Sequence, residues 1–285
     1  MFAGMTIKQL YHDYVSQLTP QYLPGEAAAI TSELFLSVAG ISRTEIFTGT
    51  EKKIGTPIAD RLHACLLQLK AHRPLQYVLG EAWFYGLRFR VNEHVLIPRP
   101  ETEELVEQLL NDNKDRSSFS ILDIGTGSGC IPVALKKNLA NADVSAIDIS
   151  AEALAIAKEN ARLNDVNVLF HQLDILDDGA WLPLPAFDVI ISNPPYIPEE
   201  EKKLLAKNVA EHEPHLALFV PDNDPLLFYK KILAFSEQHL NKDGKIYFET
   251  HEALAEKVKG LCQGTHRVAE TLKDMSGKER MVIVA

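Results

Sequence analysis

Apolar positions at helical spacing dominate the chain from residue 6 to about residue 80. Thr6 and Gln9 match a capping box, and Ile7, Leu10, Tyr11, Tyr14, Val15 and Leu18 follow on one face. A second helix is predicted from Gly25 to Ala39, with Ile30, Leu34, Phe35 and Val38 inward and Gly40 as its stop. Ser42 and Glu45 form another capping box, and Ile58, Leu62, Cys65, Leu66 and Leu69 mark a helix from Thr56 to Ala71. No strand-like alternation interrupts this region, which therefore reads as a small helical domain.

The period changes at Trp83. Leu87, Phe89 and Val91 alternate with Arg88, Arg90 and Asn92, and Val95-Leu96-Ile97 follows across a short turn. This predicts a two-stranded hairpin joining two domains. Pro98-Arg99-Pro100 blocks its extension, and Glu101 to Leu110 reads as a helix with acidic residues in its first turn.

After the polar loop Asn111 to Ser118, strands and helices alternate. The predicted strands are Ser120–Ile124, Val144–Ile149, Val166–Gln172, Asp188–Ser192, Gly244–Thr250, a stretch near Arg267–Leu272, and Arg280–Val284. Helices are expected between the first five, notably Cys130–Leu139, Ala151–Leu163 and Pro225–Leu240. Such alternation implies right-handed crossovers and a mostly parallel sheet covered on both faces, an α/β fold. Only Lys273 to Lys278 separates the final pair, too little for a helix, so the last strand is expected to be antiparallel.

Composition narrows the class. Hydrophobic and charged contents of 46% and 24% are those of an ordinary globular protein. The net charge of −10 argues against a broad nucleic-acid footprint. Cys65, Cys130 and Cys262 lie far apart without metal-ligand spacing, so neither zinc nor a disulfide framework is expected. No apolar run reaches the ~18 residues of a membrane span, and no basic-then-apolar leader opens the chain. A cytoplasmic location is expected.

Two strand ends carry the candidate chemistry. Asp123-Ile124-Gly125-Thr126-Gly127-Ser128-Gly129 closes the first strand and opens a helix, so glycines let the backbone pass close to a ligand facing helix N-terminal amides. Asp148 ends the second strand, 25 residues after Asp123, where a carboxylate can accept ribose hydroxyls. The dinucleotide fingerprint needs its third glycine at the position held by Cys130; here it arrives one residue early, at Gly129.

The fourth strand ends in Asn193-Pro194-Pro195-Tyr196. Consecutive prolines fix φ and remove two donors, and Asn193 before Pro194 is pushed out of the helical region. The result is a stiff corner offering carbonyl acceptors and one ring, suited to a planar amino group. As a structural element alone it would be a rigid turn after a strand, and the aspartates would be strand-end caps.

The D-x-G-x-G-x-G loop resembles the first motif of class I S-adenosylmethionine-dependent methyltransferases, and the tetrad resembles that of members acting on planar nitrogen. Phe84-Tyr85-Gly86-Leu87, Val95 through Glu103, Glu213-Pro214-His215-Leu216-Ala217-Leu218 and Ser276-Gly277-Lys278 extend the likeness to the HemK/PrmC family of release factor glutamine-N5 methyltransferases. Val220 to Pro225 departs from a Gly-x-x-Gly turn common in that family, and Ile175 stands where some members carry an aromatic residue.

The resemblance implies a seven-stranded Rossmann-like methyltransferase domain (99–285), a hairpin linker (81–98) and an N-terminal helical domain (1–80) that binds the release factor. It implies S-adenosylmethionine held by Asp123, Gly125, Thr126, Gly127, Ser128, Gly129, Asp148, Ile149, Asp174, Ile175 and Asn193. It implies that Asn193, Pro194 and Tyr196 are catalytic, and that these with Pro195, Phe84, Arg99 and Glu101 bind the Gly-Gly-Gln loop of bacterial class I release factors. Phe84, Arg99 and Glu101 read equally well as a hairpin core residue and a capped helix start.

Two rivals remain at this point. An N6-adenine methyltransferase would use the same tetrad on a flipped base but should carry a Lys/Arg cluster. A subunit that only docks a partner would not need an intact glycine loop and tetrad.

Overall fold

The computed structural model describes residues 5–49, 52–263 and 267–285. Its contacts divide the chain into two units: one runs up to Gly80 and includes Ala206–His212, and the other comprises Glu81–Leu205 and Glu213–Ala285.

The first unit is helical. It contains α1 (Ile7–Leu18), α2 (Pro24–Ala39), α3 (Arg43–Thr48), α4 (Thr56–Lys70) and α5 (Leu75–Leu79). Both expected capping boxes form: the Thr6 hydroxyl accepts from the Gln9 amide and Ser42 from Glu45, with each partner side chain reaching back. Tyr14 and Phe35 meet edge to face, 5.8 Å apart, in a core shared with Leu34, Leu62, Leu66 and Leu69. The turn α5 was not foreseen, being too short to show a period.

The second unit opens with the hairpin, one step earlier than expected. Strands β1 (Glu81–Phe84) and β2 (Leu87–Arg90) pair antiparallel, with Phe84 opposite Leu87. Tyr85 and Gly86 turn between them at φ 49° and 71°. Positive φ at both central residues is the two-residue hairpin geometry whose twist matches the strands. Val95–Ile97, expected as the second strand, is irregular and leads into α6 (Pro100–Asn113), where Pro100 occupies the first turn.

The seven-stranded sheet contains β3 (Phe119–Ile124), β4 (Ala142–Asp148), β5 (Leu169–Gln172) and β6 (Phe187–Ser192), with helices α7 (Cys130–Asn138) and α8 (Ala151–Leu163) in the first two crossovers. Where a helix was expected between β5 and β6 there is only a 3-10 turn, Asp178–Trp181. Pro183 and Pro185 follow it and bar continuation. After the short strands β7 (Ile197–Pro198) and β8 (Phe219–Val220), between which the chain contributes the helical turn α9 (Lys207–Ala210) to the first unit, the second unit closes with α10 (Leu227–His239), β9 (Leu240–Glu249), α11 (Ala255–Gln263), β10 (Ala269–Lys273) and β11 (Glu279–Val284).

The order is β10-β11-β9-β6-β3-β4-β5. β11 runs antiparallel to both neighbours, as the short final connection requires. Successive strand residues enter opposite cores: Ile121 and Ile191 face α6 and α7, whereas Leu122 and Ile190 face α10 and α11. Burial on both faces explains why these strands read as unbroken apolar runs. Among the described residues, no helix is long and apolar enough to cross a membrane.

Candidate active site

Parallel β3, β4 and β6 end side by side, and a cavity of about 370 Å³ opens beyond their carboxyl ends. Ligands bind at that place in open α/β sheets, where the strand order reverses. Here β3 has β4 on one side and β6 on the other, so the glycine loop and the tetrad leave adjacent strands in opposite directions of the sheet.

The loop after β3 bends at Gly125, Gly127 and Gly129, all with positive φ. Gly129 has a further constraint: a Cβ there would lie 2.9 Å from the Ala157 Cβ on α8. The buried Asn160 of α8 donates to the Ser128 carbonyl at 2.9 Å and exchanges two hydrogen bonds with the backbone of Arg90. A single side chain thus ties the glycine loop to the hairpin.

Asp148 accepts from the Gly127 amide at 2.8 Å and the Ser150 amide at 2.9 Å, one on each oxygen. Burial raises its carboxyl pKa despite these amides, and the carboxylate borders the cavity. Ile149, Asp174 and Ile175 border it as well. Asp174 accepts from the Leu176 amide, 2.8 Å away, which holds the turn after β5.

Asp123 is fully buried beneath the loop, where the Thr126 hydroxyl is the side chain that supports its carboxyl and opposes the effect of burial. Burial pushes its pKa up to about 7, with the Asp148 charge adding to the rise. Thr126 itself stands on the cavity wall, between Asp123 and the cavity. A buried carboxyl with so little polar support, set just behind the cavity wall, fits a ligand that brings donors and positive charge to the cavity beside it. The α-ammonium and hydroxyls of S-adenosylmethionine are such donors.

At the tetrad, Asn193, Pro194 and Pro195 line the cavity. The Asn193 Nδ2 donates to Thr102 Oγ1 at 3.1 Å, and Thr102 donates to Glu249 Oε2 at 2.6 Å. Thr102 and Glu249 are buried, on the first turn of α6 and at the end of β9. Burial raises Glu249 to about 7. Tyr196 lies beside His251 and is pushed up to about 12 by burial and by the Glu249 charge. Beside the tetrad, Arg99 lines the cavity and pairs at 2.6 Å with the buried Glu213, which also accepts from the Ile97 amide.

Of the residues expected from sequence, Phe84, Glu101 and Tyr196 do not line the cavity. Phe84 is 1% exposed and packs edge to face on Phe89, so its place is the hairpin core. Glu101 is exposed on the first turn of α6. Asp123 and Gly129 support the loop from behind. Sequence reasoning met Thr102 and Glu213 only as parts of the family likeness, without a role at the site, and passed over Glu249. Glu249 could have been found, since it ends a central strand in the same way as Asp123 and Asp148.

Comparison with known proteins decides the family. The family model described as PrmC N-terminal domain matches residues 9–80, and that described as Methyltransferase small domain matches 101–217. The release factor glutamine methyltransferase of Flavobacterium psychrophilum is 43% identical over 284 residues, covering 98% of this chain and 99% of the relative. This chain belongs to the release factor glutamine methyltransferase family. The Bacteroides thetaiotaomicron member is 40% identical, covering 94% of this chain and 96% of its own. The Streptococcus pneumoniae member is 38% identical at 98% coverage of both.

Solved structures agree on the fold. The human Mettl16 catalytic domain, crystallised with a hairpin of the MAT2A 3′UTR, superposes over 95% of this chain and 91% of its own with a TM-score of 0.55 at 16% identity. A Pyrococcus furiosus methyltransferase covers 78% of this chain and 96% of its own with a TM-score of 0.51 at 22% identity.

Proposed function

We propose that this chain transfers the methyl group of S-adenosylmethionine to the side-chain amide nitrogen N5 of the glutamine in the Gly-Gly-Gln motif of bacterial class I release factors. The observation that carries the reading is the cavity itself: the glycine loop and the Asn193 corner bound one space, as a methyl donor and its acceptor require. The names of the full-length relatives supply the acceptor class.

Bound in the cavity, S-adenosylmethionine supplies an electrophilic methyl group on a sulfonium. Asp148 would accept from its ribose hydroxyls, Ile149, Asp174 and Ile175 would hold the adenine, and Thr126, with the Asp123 carboxyl behind it, would receive the methionine portion. Gly125, Gly127, Ser128 and Gly129 give the backbone its close approach.

An amide nitrogen is a weak nucleophile because its lone pair is delocalised. Asn193 Oδ1 and the Pro194 carbonyl would accept its two N–H bonds, orienting the lone pair at the methyl carbon and stabilising positive charge as the N–C bond forms and the S–C bond breaks. Preorganised partners of this kind are worth about 100- to 1000-fold in rate each, and alignment contributes separately. The Tyr196 phenol, at about 12, keeps its proton and serves as packing rather than as a base. The methylated amide nitrogen is strongly acidic before it loses its proton, so water suffices to accept it. The helical unit is assigned to holding the release factor outside its Gly-Gly-Gln loop.

The test mixes the purified chain with methyl-labelled S-adenosylmethionine and, in parallel, a release factor, its Gly-Gly-Ala variant and duplex DNA. Label on the release factor alone is expected. Label on DNA alone would replace this reading with the adenine one.

A further inference from the structure

The hydrogen bonds behind Asn193 run in one direction. An ionised carboxylate only accepts, so Glu249 takes the single hydroxyl proton of Thr102 at 2.6 Å. Thr102 Oγ1 can then only accept, and what faces it at 3.1 Å must be the Asn193 NH2 group. The two ends of an Asn amide are nearly equal in size, so packing alone discriminates poorly between them; hydrogen-bond polarity does.

From this geometry we infer that Thr102 and Glu249 are positioning residues that lock the polarity of Asn193, keeping its Oδ1 turned to the cavity and to the acceptor nitrogen. The inference deepens the proposed function and rests on it. A flipped Asn193 would present N–H to the N–H of the acceptor amide, replacing an attraction by a repulsion. The corner can therefore be fully folded and still inactive.

The lock has a pH limb. A protonated Glu249 can donate to Thr102, leaving the threonine proton free to turn toward Asn193, which then offers its oxygen inward. The polarity reverses without movement of the backbone. The groups that face Glu249 are Glu101 and Arg99 at the start of α6, Arg280 on β11, Tyr196 after β6, Tyr229 on α10 and Cys130 on α7. Burial and Glu101 raise its carboxyl, and Thr102, Arg280 and Arg99 oppose the rise, leaving it at about 7. Activity is accordingly expected to fall as pH drops below about 7.

The test uses the full chain, an intact release factor and saturating labelled S-adenosylmethionine, and measures kcat, KM for the factor and cofactor affinity. T102V keeps the branched shape and removes the hydroxyl; kcat is expected to fall roughly 100-fold, with KM and cofactor affinity within about twofold. T102S restores the hydroxyl and should recover kcat to within about threefold. E249Q, whose amide can either accept from Thr102 or donate to it, should be flat in pH where the unmodified chain shows its acid limb. Should T102V fail to fold, the T102S and E249Q profiles carry the comparison. Wild-type kcat in T102V, equal impairment of T102S and T102V, or an acid limb surviving in E249Q would overturn the lock. If the unmodified chain places no label on the release factor, the proposed function itself falls, and the lock with it.

Discussion

Replacing Asp123 by Asn tests the cofactor end of the cavity through stability as well as binding. The native carboxyl is raised from 3.8 to about 7. At about 1.4 kcal/mol per pH unit, this corresponds to about 4 kcal/mol favouring the neutral acid. Because the native pKa lies above the unfolded one, the folded state holds the extra proton between about pH 4 and pH 7. Asp123 therefore adds stability in acid and loses that contribution as pH rises through 7. More than half of the change falls between pH 5 and pH 8.

Asp123→Asn removes this slope. The variant still buries an amide with little polar support, at a cost of about 1–3 kcal/mol, so it should match or exceed the parent at pH 8 and trail it at pH 5. Glu249 contributes a slope of the same sign in both proteins, so the difference between them isolates Asp123. Urea unfolding of the ligand-free proteins at the two pH values measures it. Calorimetric titration with S-adenosylmethionine at pH 8 should show about 10-fold weaker binding by the variant, because a negative charge behind the cavity wall is lost. Parallel pH profiles together with unchanged cofactor affinity would refute the argument and leave Asp123 as a strand-end cap.

Asn193→Ala should reduce methylation by about 100- to 1000-fold while cofactor affinity, read by calorimetry, stays within a few-fold. Gly129→Ala places a Cβ 2.9 Å from that of Ala157 at a positive φ and should lower unfolding free energy by about 1–3 kcal/mol, measured by denaturant midpoint at constant m. Glu213→Ala unpairs Arg99 and the Ile97 amide, and should cost about 3–5 kcal/mol. Glu213→Gln, which retains an acceptor, should lose less by thermal denaturation.

Much of the fold was legible because its signals are local. The capping boxes at Thr6 and Ser42 pair residues three apart, and the last strand's reversal follows from the length of one connection. The glycine loop and the Asn193 corner were legible because their chemistry depends on consecutive residues. The hairpin register was misjudged because the alternation after Leu87 suits pairing on either side. Only the Tyr85-Gly86 turn, with positive φ at both residues, selects the earlier partner.

The sequence by itself determined where the backbone could approach a ligand and which corner could receive an amide. The tertiary structure alone decided how those groups are oriented. Asn193 meets Thr102 across 91 residues, Thr102 meets Glu249 across 147, and Arg99 meets Glu213 across 114. Hydrophobic period and turn chemistry report on neighbours along the chain and say nothing of which strand ends converge. Strand order brings β9 and the first turn of α6 behind β6, and burial there turns an ordinary Thr and Glu into partners of Asn193.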